Sequence, residues 1–209
     1  MTGYNFIRSQ VSAAVNDPDV ETILLDVNSY GGMVSGCEET AQLIFDGNKA
    51  NGGKPIVAVI DANCYSAAYM LASQADHIVI TPSGGAGSIG VVMMHLDVSK
   101  AMKDHGVKVS FIIAGEHKVD GNAYEPLSDE VRASFQASVD LTYEMFLGVV
   151  ARGRGLTVDE VRATQARCYG AEEAKALNLV DDVPTPANAV SSHCSAESET
   201  EDDGTDRPE

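Results

Sequence analysis

The stretch that decides the fold runs from Ile56 to Tyr69 and reads IVAVIDANCYSAAY. Its first five residues are apolar and mostly β-branched, which is typical of a buried strand. A polar turn follows, and Ser66 then opens a segment of small residues that suits a short helix. The stretch therefore predicts a strand that leads directly into a helix, with a serine at the junction.

The same strand–turn–helix pattern continues on both sides of this stretch. Thr22 to Val27 (TILLDV) predicts an earlier strand, and residues 28–32 (NSYGG) predict a sharp turn after it. His77 to Ile80, Ile89 to Met94 and Val107 to Ile113 predict three more strands. Repeated units of this kind indicate βαβ units and an α/β fold.

Capping residues predict where the helices begin. The candidate caps are Thr2, Ser35 with Glu38, Ser128, and Thr157 with Glu160. The chain is mostly helical after Pro126, so we predict one domain over residues 1–186 with a helical C-terminal part. Residues 187–209 are acidic and almost free of large apolar side chains, which predicts a disordered tail.

Composition limits the classes of function. A net charge of −17 argues against nucleic acid, because phosphate binding needs clustered Lys and Arg. The four cysteines form no C-x-x-C pair, so neither a zinc site nor a disulfide framework is indicated, and a reducing, cytoplasmic setting fits best. We expect no metal and no cofactor. Neither a signal peptide nor an apolar run long enough for a membrane span is present, so a soluble protein is expected.

Three turns that follow predicted strands carry the residues that suit chemistry. At the carboxyl ends of strands in an α/β sheet, such turns meet and bind ligands. Ser66 could attack a carbonyl carbon there, and the N–H of Ala67 could stabilise the resulting oxyanion. Gly31 or Gly32 could supply a second N–H, because glycine has no Cβ to obstruct the approach. Taken alone, Ser66 would also suit a helix cap, and the glycine pair a plain turn.

Five ordered motifs together resemble the signal peptide peptidase A family, and most of all its phage head-maturation proteases, which are relatives of minor capsid protein C. The motifs are LLDVNSYGG, NCYSAAYMLASQADHIVITP, GSIGVV, AGEHKVD, and GRGLTVDEV with YGAEEAKALNLVDDV. The resemblance covers roughly residues 3 to 184. It implies a crotonase-like spiral fold and a serine peptidase with a Ser–Lys dyad.

The resemblance also implies site residues. The family serine matches Ser66, the family lysine matches Lys118 in AGEHKVD, and a serine that hydrogen-bonds the lysine matches Ser88 in GSIGVV. A serine hydroxyl is a weak nucleophile until a base takes its proton. An amine can be that base near neutral pH only when burial or neighbouring charges lower its pKa. Since an apolar run precedes it, we expect Lys118 to start from a buried position.

The chain departs from the family pattern at three places. Tyr30 stands where the family usually has proline, and Ala67 and Ala68 stand where glycines are common. The family also has a strand before the first helix, and this chain begins at that helix. If the protein lacks that strand, the sheet has an unpaired edge, where folding or activity would suffer; the alternative is that the strand is missing only from the sequence given.

Four other functions remain open on the sequence. A Ser–His–Asp triad would need a histidine base, and His95 is its best candidate. Residues 85–90 match G-x-G-x-x-G, but a dinucleotide site needs a helix next, and a strand pattern follows. An acyl-CoA hydratase or isomerase would share the fold without needing the serine and lysine. An inactive capsid-assembly component would keep only the scaffold.

The sequence and the resemblance together predict a serine endopeptidase, with Ser66 as nucleophile and Lys118 as general base. The resemblance implies capsid scaffold or portal proteins as substrates, with signal-peptide remnants as the alternative. It also implies a homo-oligomer, whose dyad forms within or between protomers, in the host cytoplasm or the virion.

Overall fold

The computed structural model describes residues 2–184, which form one mixed sheet flanked by helices. The strands are β1 (Ile23–Ser29), β2 (Ile56–Tyr65), β3 (His77–Ile80), β4 (Gly85–Gly87) and β5 (Cys168–Gly170). The helices are α1 (Tyr4–Asn16), α2 (Cys37–Gly47), α3 (Ala67–Ala72), α4 (Ser99–Asp104), α5 (Asp129–Arg154), α6 (Val158–Ala163) and α7 (Ala171–Ala176). The predicted α/β class is confirmed. The predicted tail, residues 187–209, lies outside the described residues.

β2 is the central strand because three others pair with it. β1 runs parallel along one edge, with Ile23 opposite Ile56. On the other edge, β3 pairs with the first half of β2 and β4 with its last three residues, both in parallel. β5 then pairs antiparallel with β4. This order brings the ends of β1, β2 and β4 to one place, as the three turns predict.

The core lies between the sheet and the helices α2, α3 and α5. The apolar residues of β2 alternate with partly exposed ones, and Ile56, Ala58 and Ile60 are fully buried. Side chains from the helices complete it, among them Ile44, Tyr69 and Leu147. Burial of such side chains contributes about 1.5–3 kcal/mol each, which makes this layer the main source of stability.

The far edge of β1 has no strand partner within residues 2–184. A cavity of about 820 Å³ lies between this edge and α1. Leu24 on β1 is 65% exposed beside it. In the described part of the chain, the edge strand β1 therefore has one side without a strand partner.

Two helix starts were predicted wrongly. α1 begins after Gly3 rather than Thr2, and α2 begins after Gly36 rather than Ser35. Gly36 has φ +89, a conformation that favours glycine, and the N–H of Cys37 bonds to the Val34 carbonyl. This turn shifts the start of α2 past the predicted capping box. By contrast, the Ser128 cap and the Thr157–Glu160 capping box are confirmed.

The predicted strands at residues 89–94 and 107–113 do not form. These segments carry no assigned secondary structure, and many of their apolar side chains face outward, with Val92 89% exposed and Ile112 fully exposed. Their composition suits a strand, but a strand also needs a hydrogen-bonding neighbour, and neither segment pairs with a strand of the described sheet. We call residues 91–113 the arm. Every helix within residues 2–184 is too short or too polar to reach across a bilayer.

Candidate active site

Ser66 occupies the single-residue junction between β2 and α3. Its backbone has φ +53 and ψ −127, which is a strained conformation for a residue with a side chain. Its N–H donates to the Gly87 carbonyl over 2.9 Å, which ties the junction to β4. The side chain makes no capping hydrogen bond. The structural alternative, a serine that caps α3 through its hydroxyl, is therefore not realised.

Gly31 packs directly against Ser66. A Cβ built on Gly31 would lie 2.7 Å from Cβ and 3.2 Å from Oγ of Ser66. Gly31 also has φ +117, which disfavours any L side chain. The turn after β1 and the junction after β2 therefore meet, and only glycine fits at their contact.

Two backbone N–H groups beside Ser66 have no hydrogen-bond acceptor among residues 2–184. They belong to Gly32 and Ala67. The N–H of Gly31, in contrast, donates to Ser29 Oγ over 3.2 Å. Of the two candidate glycines, Gly32 is thus the one whose N–H is free to bind an oxyanion, and Ala67 offers the second donor.

A small cavity of about 100 Å³ adjoins the serine. Its walls come from the glycine turn, α2, α3, α5 and residues 90–92. The side chains that shape it include Met33, Cys37, Met70, Val91, Met145 and Phe146.

Tyr30, which stands in the place of the family proline, contacts the same junction. Its ring stacks on the ring of Tyr65, with centroids 6.0 Å apart and planes 25° from parallel. Tyr65 is the last residue of β2 and directly precedes Ser66. The substitution therefore adds an aromatic contact between the glycine turn and the serine strand.

Ser88 follows β4 and lies one residue beyond Gly87, the partner of Ser66. It is half-buried, has φ +53, and donates its N–H to the Arg167 carbonyl over 2.8 Å. Ser66 and Ser88 each follow one of two neighbouring strands, β2 and β4, and both have a positive φ, which is rare for serine. Strain of this kind persists where the surrounding structure holds it, often at functional sites.

Lys118 lies in a turn at residues 115–121 and is exposed. Its N–H bonds to the Gly115 carbonyl, and no hydrogen bond joins its amine to Ser66 in the part of the chain that the structure describes. The expectation of a buried start is wrong for the isolated chain, because the preceding run, residues 107–113, is itself exposed. A single chain brings Ser66, Gly31, Gly32 and Ala67 together, with Ser88 on the adjacent strand, but not Lys118.

The histidines of residues 2–184 do not hydrogen-bond to Ser66. His95 Nε2 donates to the Asn122 carbonyl oxygen over 2.9 Å. His117 pairs with Asp120, and hydrogen bonding to that carboxylate raises the pKa of His117. His77 lies near Asp181 and Asp182. The triad alternative therefore lacks a base in contact with the serine.

The G-x-G-x-x-G stretch forms β4 and the segment after it. The first helix to follow, α4, begins only at Ser99. The N-terminus that a dinucleotide phosphate would need is therefore not adjacent to the glycines.

Tyr4, Cys37 and Phe146 adjoin the site and were not predicted. Tyr4 and Phe146 have the spacing of helix faces, which predicts burial but not which group they contact. Cys37 was considered only for disulfide and zinc chemistry. None of the three carries a local sequence signal for a role beside Ser66.

The fold and the site define a class: an α/β protein with a strained serine at a strand-to-helix junction and two free backbone donors beside it. The family model for peptidase family S49 matches residues 48–198, and the chain belongs to that family.

Individual relatives agree with this assignment. The chain is 39% identical over 191 residues to capsid assembly protease C of Escherichia phage lambda, which covers 91% of this chain and 43% of the relative. It is 35% identical to head-tail preconnector protein GP5 of Enterobacteria phage P21, over 91% of this chain and 38% of that protein. The probable protease SohB of Haemophilus influenzae is 34% identical, over 88% and 52%. The chain thus spans about half or less of the length of these relatives.

Solved structures show the same fold at low identity. A peptidase from Plasmodium falciparum has a TM-score of 0.53 at 13% identity, and covers 87% of this chain and 88% of its own. A mutant of the membrane-bound stomatin-specific protease 1510-N, in complex with a substrate peptide, has a TM-score of 0.54 at 16% identity, over 88% and 70%.

Proposed function

We propose that this protein is a serine endopeptidase that forms an acyl-enzyme on Ser66. One observation carries the proposal: Ser66 at the strained junction lines the same small cavity as Gly32 and Ala67, whose N–H groups have no acceptor among residues 2–184. A hydroxyl and two converging donors are the parts that acyl transfer requires. Membership of a peptidase family supports the same reaction.

The reaction proceeds in two halves. Ser66 Oγ attacks the carbonyl carbon of the scissile peptide while Lys118 Nζ takes the hydroxyl proton. The oxyanion accepts hydrogen bonds from the N–H groups of Gly32 and Ala67. The C–N bond then breaks, and Lys118 returns the proton to the leaving amine. Water attacks the acyl-enzyme with the same proton transfers and releases Ser66.

Lys118 reaches the serine, in this proposal, from a neighbouring copy of the chain. Three features support this arrangement. The turn that carries Lys118 is exposed, its amine makes no hydrogen bond with Ser66 in the described chain, and the adjacent arm exposes a row of apolar side chains. Exposed apolar surface of this extent is typical of an interface. Burial of the arm against a second copy would shield the amine from water, and Ser88 would orient it by a hydrogen bond.

The substrate and the cellular compartment are also proposals. The two phage relatives are named for capsid assembly and head–tail connection. We infer that this protein cleaves capsid scaffold or portal proteins, in the host cytoplasm or in the virion. The proposal includes a crotonase-like spiral for the fold, a homo-oligomer for the assembly, and no cofactor for the reaction.

Labelling with a fluorophosphonate tests the central claim. The reagent reacts with an activated serine, so the wild-type protein should be labelled and Ser66→Ala should not. Ser83→Ala is the matched control, because Ser83 is an exposed loop serine outside the site. Equal labelling of the wild type and Ser66→Ala, or no labelling of either, would overturn the proposal.

A further inference from the structure

α1 contacts the turn that carries the proposed oxyanion donor. We call residues 30–36 the glycine loop. The Tyr4 hydroxyl donates to the Met33 carbonyl oxygen over 2.7 Å. The Tyr4 hydroxyl oxygen also lies 2.9 Å from the position that a Cβ on Gly32 would occupy. The Tyr4 hydroxyl therefore contacts both Gly32 and Met33, the two residues that are joined by the next peptide bond.

The middle of the glycine loop is exposed to solvent. Met33 and Val34 are 74% and 49% exposed. The other recorded hydrogen bonds of residues 31–35 are local, from Gly31 to Ser29 and from Cys37 to Val34. Within the described chain, the Tyr4 bond is the one that ties these residues to an element distant in sequence. Without it, the Gly32 N–H would be held only through its neighbours in the loop, by the packing of Gly31 against Ser66 and by the Arg8 contact with Gly36.

The other half of the proposed oxyanion hole lies close to the same phenol. Cys37 Sγ donates to the Ala67 carbonyl oxygen over 3.6 Å, and Cys37 is 1% exposed. Burial is the main cause that raises the pKa of Tyr4, and a hydrogen bond with Cys37 raises it further. Burial also raises the pKa of the Cys37 thiol. Both groups therefore stay protonated near neutral pH and remain hydrogen-bond donors.

Arg8 adds a second contact from the same helix. Its guanidinium donates to the Gly36 carbonyl oxygen over 3.3 Å, at the far end of the glycine loop. Gly36 has φ +89 and packs against the Tyr4 ring, with 3.2 Å between the ring and a Cβ built on Gly36. α1 thus contacts the glycine loop at Gly32 and Met33 and again at Gly36.

We propose that Tyr4 is a positioning residue for peptide hydrolysis, holding the Gly32 N–H in the orientation that the oxyanion requires. The inference rests on the proposed function of Ser66. Tyr4 does not touch the reacting atoms and acts through the glycine loop. A donor that is misplaced by a fraction of an ångström stabilises the transition state less than one held in place, while substrate binding changes little.

Tyr4→Phe is the test, because it removes the hydroxyl and keeps the ring. The full chain is assayed on a peptide substrate, normalised by fluorophosphonate labelling. We expect kcat to fall about tenfold, less than the roughly 100-fold loss from removing an oxyanion donor outright, with KM changed less than about twofold. Hydrogen–deuterium exchange of residues 30–36 should be faster in Tyr4→Phe than in the wild type.

Tyr69→Phe is the matched control. Tyr69 also donates to a backbone carbonyl over 2.7 Å, at Leu179, but is buried away from the glycine loop. The loss of the Tyr69 hydroxyl should lower Tm by about 4 °C and leave kcat and the hydrogen–deuterium exchange of the glycine loop unchanged. A wild-type kcat or a wild-type exchange rate in Tyr4→Phe would overturn the positioning role. Hydrolysis that persists in Ser66→Ala would instead overturn the proposed function, and exchange would still decide the role of Tyr4.

Discussion

The Cα of Gly31 lies so close to Ser66 that a methyl group on it would sit 2.7 Å from the serine Cβ. This contact joins the turn after β1 to the junction after β2. It fixes the distance between the candidate nucleophile and the candidate oxyanion donors. The geometry of the site therefore requires that residue 31 has no side chain.

Gly31→Ala is expected to abolish most activity. The new Cβ would push the glycine turn away from Ser66, and φ +117 would strain the alanine. Displacing an oxyanion donor costs about 100-fold or more in kcat. The measurement is peptide hydrolysis per folded molecule, with folding checked by circular dichroism.

Gly52→Ala controls for backbone strain. Gly52 has φ +87, but a Cβ there would meet nothing within 4 Å. This variant should lose about 1 kcal/mol of stability and keep its kcat. If both variants lose activity equally, strain rather than the contact with Ser66 is the cause.

A dyad shared between protomers predicts complementation. Ser66→Ala and Lys118→Ala should each be inactive alone. When the two are unfolded together and reassembled in equal amounts, about a quarter of the wild-type activity should return, because one interface in four pairs an intact serine with an intact lysine. The measurement is hydrolysis of one peptide substrate before and after mixing.

Lys103→Ala serves as the control for the lysine, since Lys103 lies on α4 in the same region. It should be active alone. No recovery on mixing, together with an active monomeric wild type in light scattering, would contradict the shared dyad.

The arm is predicted to be the assembly surface. Ile112→Asp places a charge on a fully exposed side chain, so the free energy of unfolding of the monomer should change by less than about 0.5 kcal/mol. Burial of that charge in an interface is unfavourable, so assembly and activity should both be lost. Light scattering measures the mass, and peptide hydrolysis measures the activity.

Leu141→Asp is a matched change on α5, where Leu141 is 75% exposed outside the arm. It should assemble and cleave as the wild type does. An Ile112→Asp protein that keeps the wild-type mass would place the interface elsewhere.

Sequence patterns predicted the part of the site that is local. The β2–α3 stretch predicts a strand, a junction and a helix, and the structure places Ser66 at that junction. The glycine pair after β1 was expected to meet it, because strand ends converge in an α/β sheet. Choosing between Gly31 and Gly32 needed coordinates, since the choice depends on the hydrogen bond from Gly31 to Ser29.

Contacts over longer distances could not be predicted. The apolar run before Lys118 has the composition of a strand, but a strand forms only beside a partner, and this run pairs with no strand of the described sheet. The Tyr4 hydroxyl bonds to a carbonyl 29 residues away, which helical spacing does not reveal. β5 is three residues long, too short for any periodic signal.

The pairing of Asp181 with Arg154 predicts a pH-dependent stability. Arg154 donates to both carboxylate oxygens over 3.0 and 2.7 Å, and the Ile78 N–H donates to one of them over 2.7 Å. Burial by itself would raise the pKa of Asp181, but the Arg154 hydrogen bonds and charge outweigh it, and the pKa lies below its usual value. The ionised form is therefore the one that stabilises the fold.

Asp181→Asn tests this linkage. Because the folded pKa is lowered, the stabilisation is complete above the unfolded pKa of about 3.9 and is lost as the pH falls through the folded pKa. At neutral pH the variant should be less stable by about 2 kcal/mol, and the difference should shrink below about pH 4. Urea unfolding at a series of pH values measures it. Asp19→Asn, at an exposed site, should differ from the wild type by less than about 0.5 kcal/mol throughout. A deficit in Asp181→Asn that stays constant into acid would show that shape, rather than charge, holds the C-terminal segment to β3.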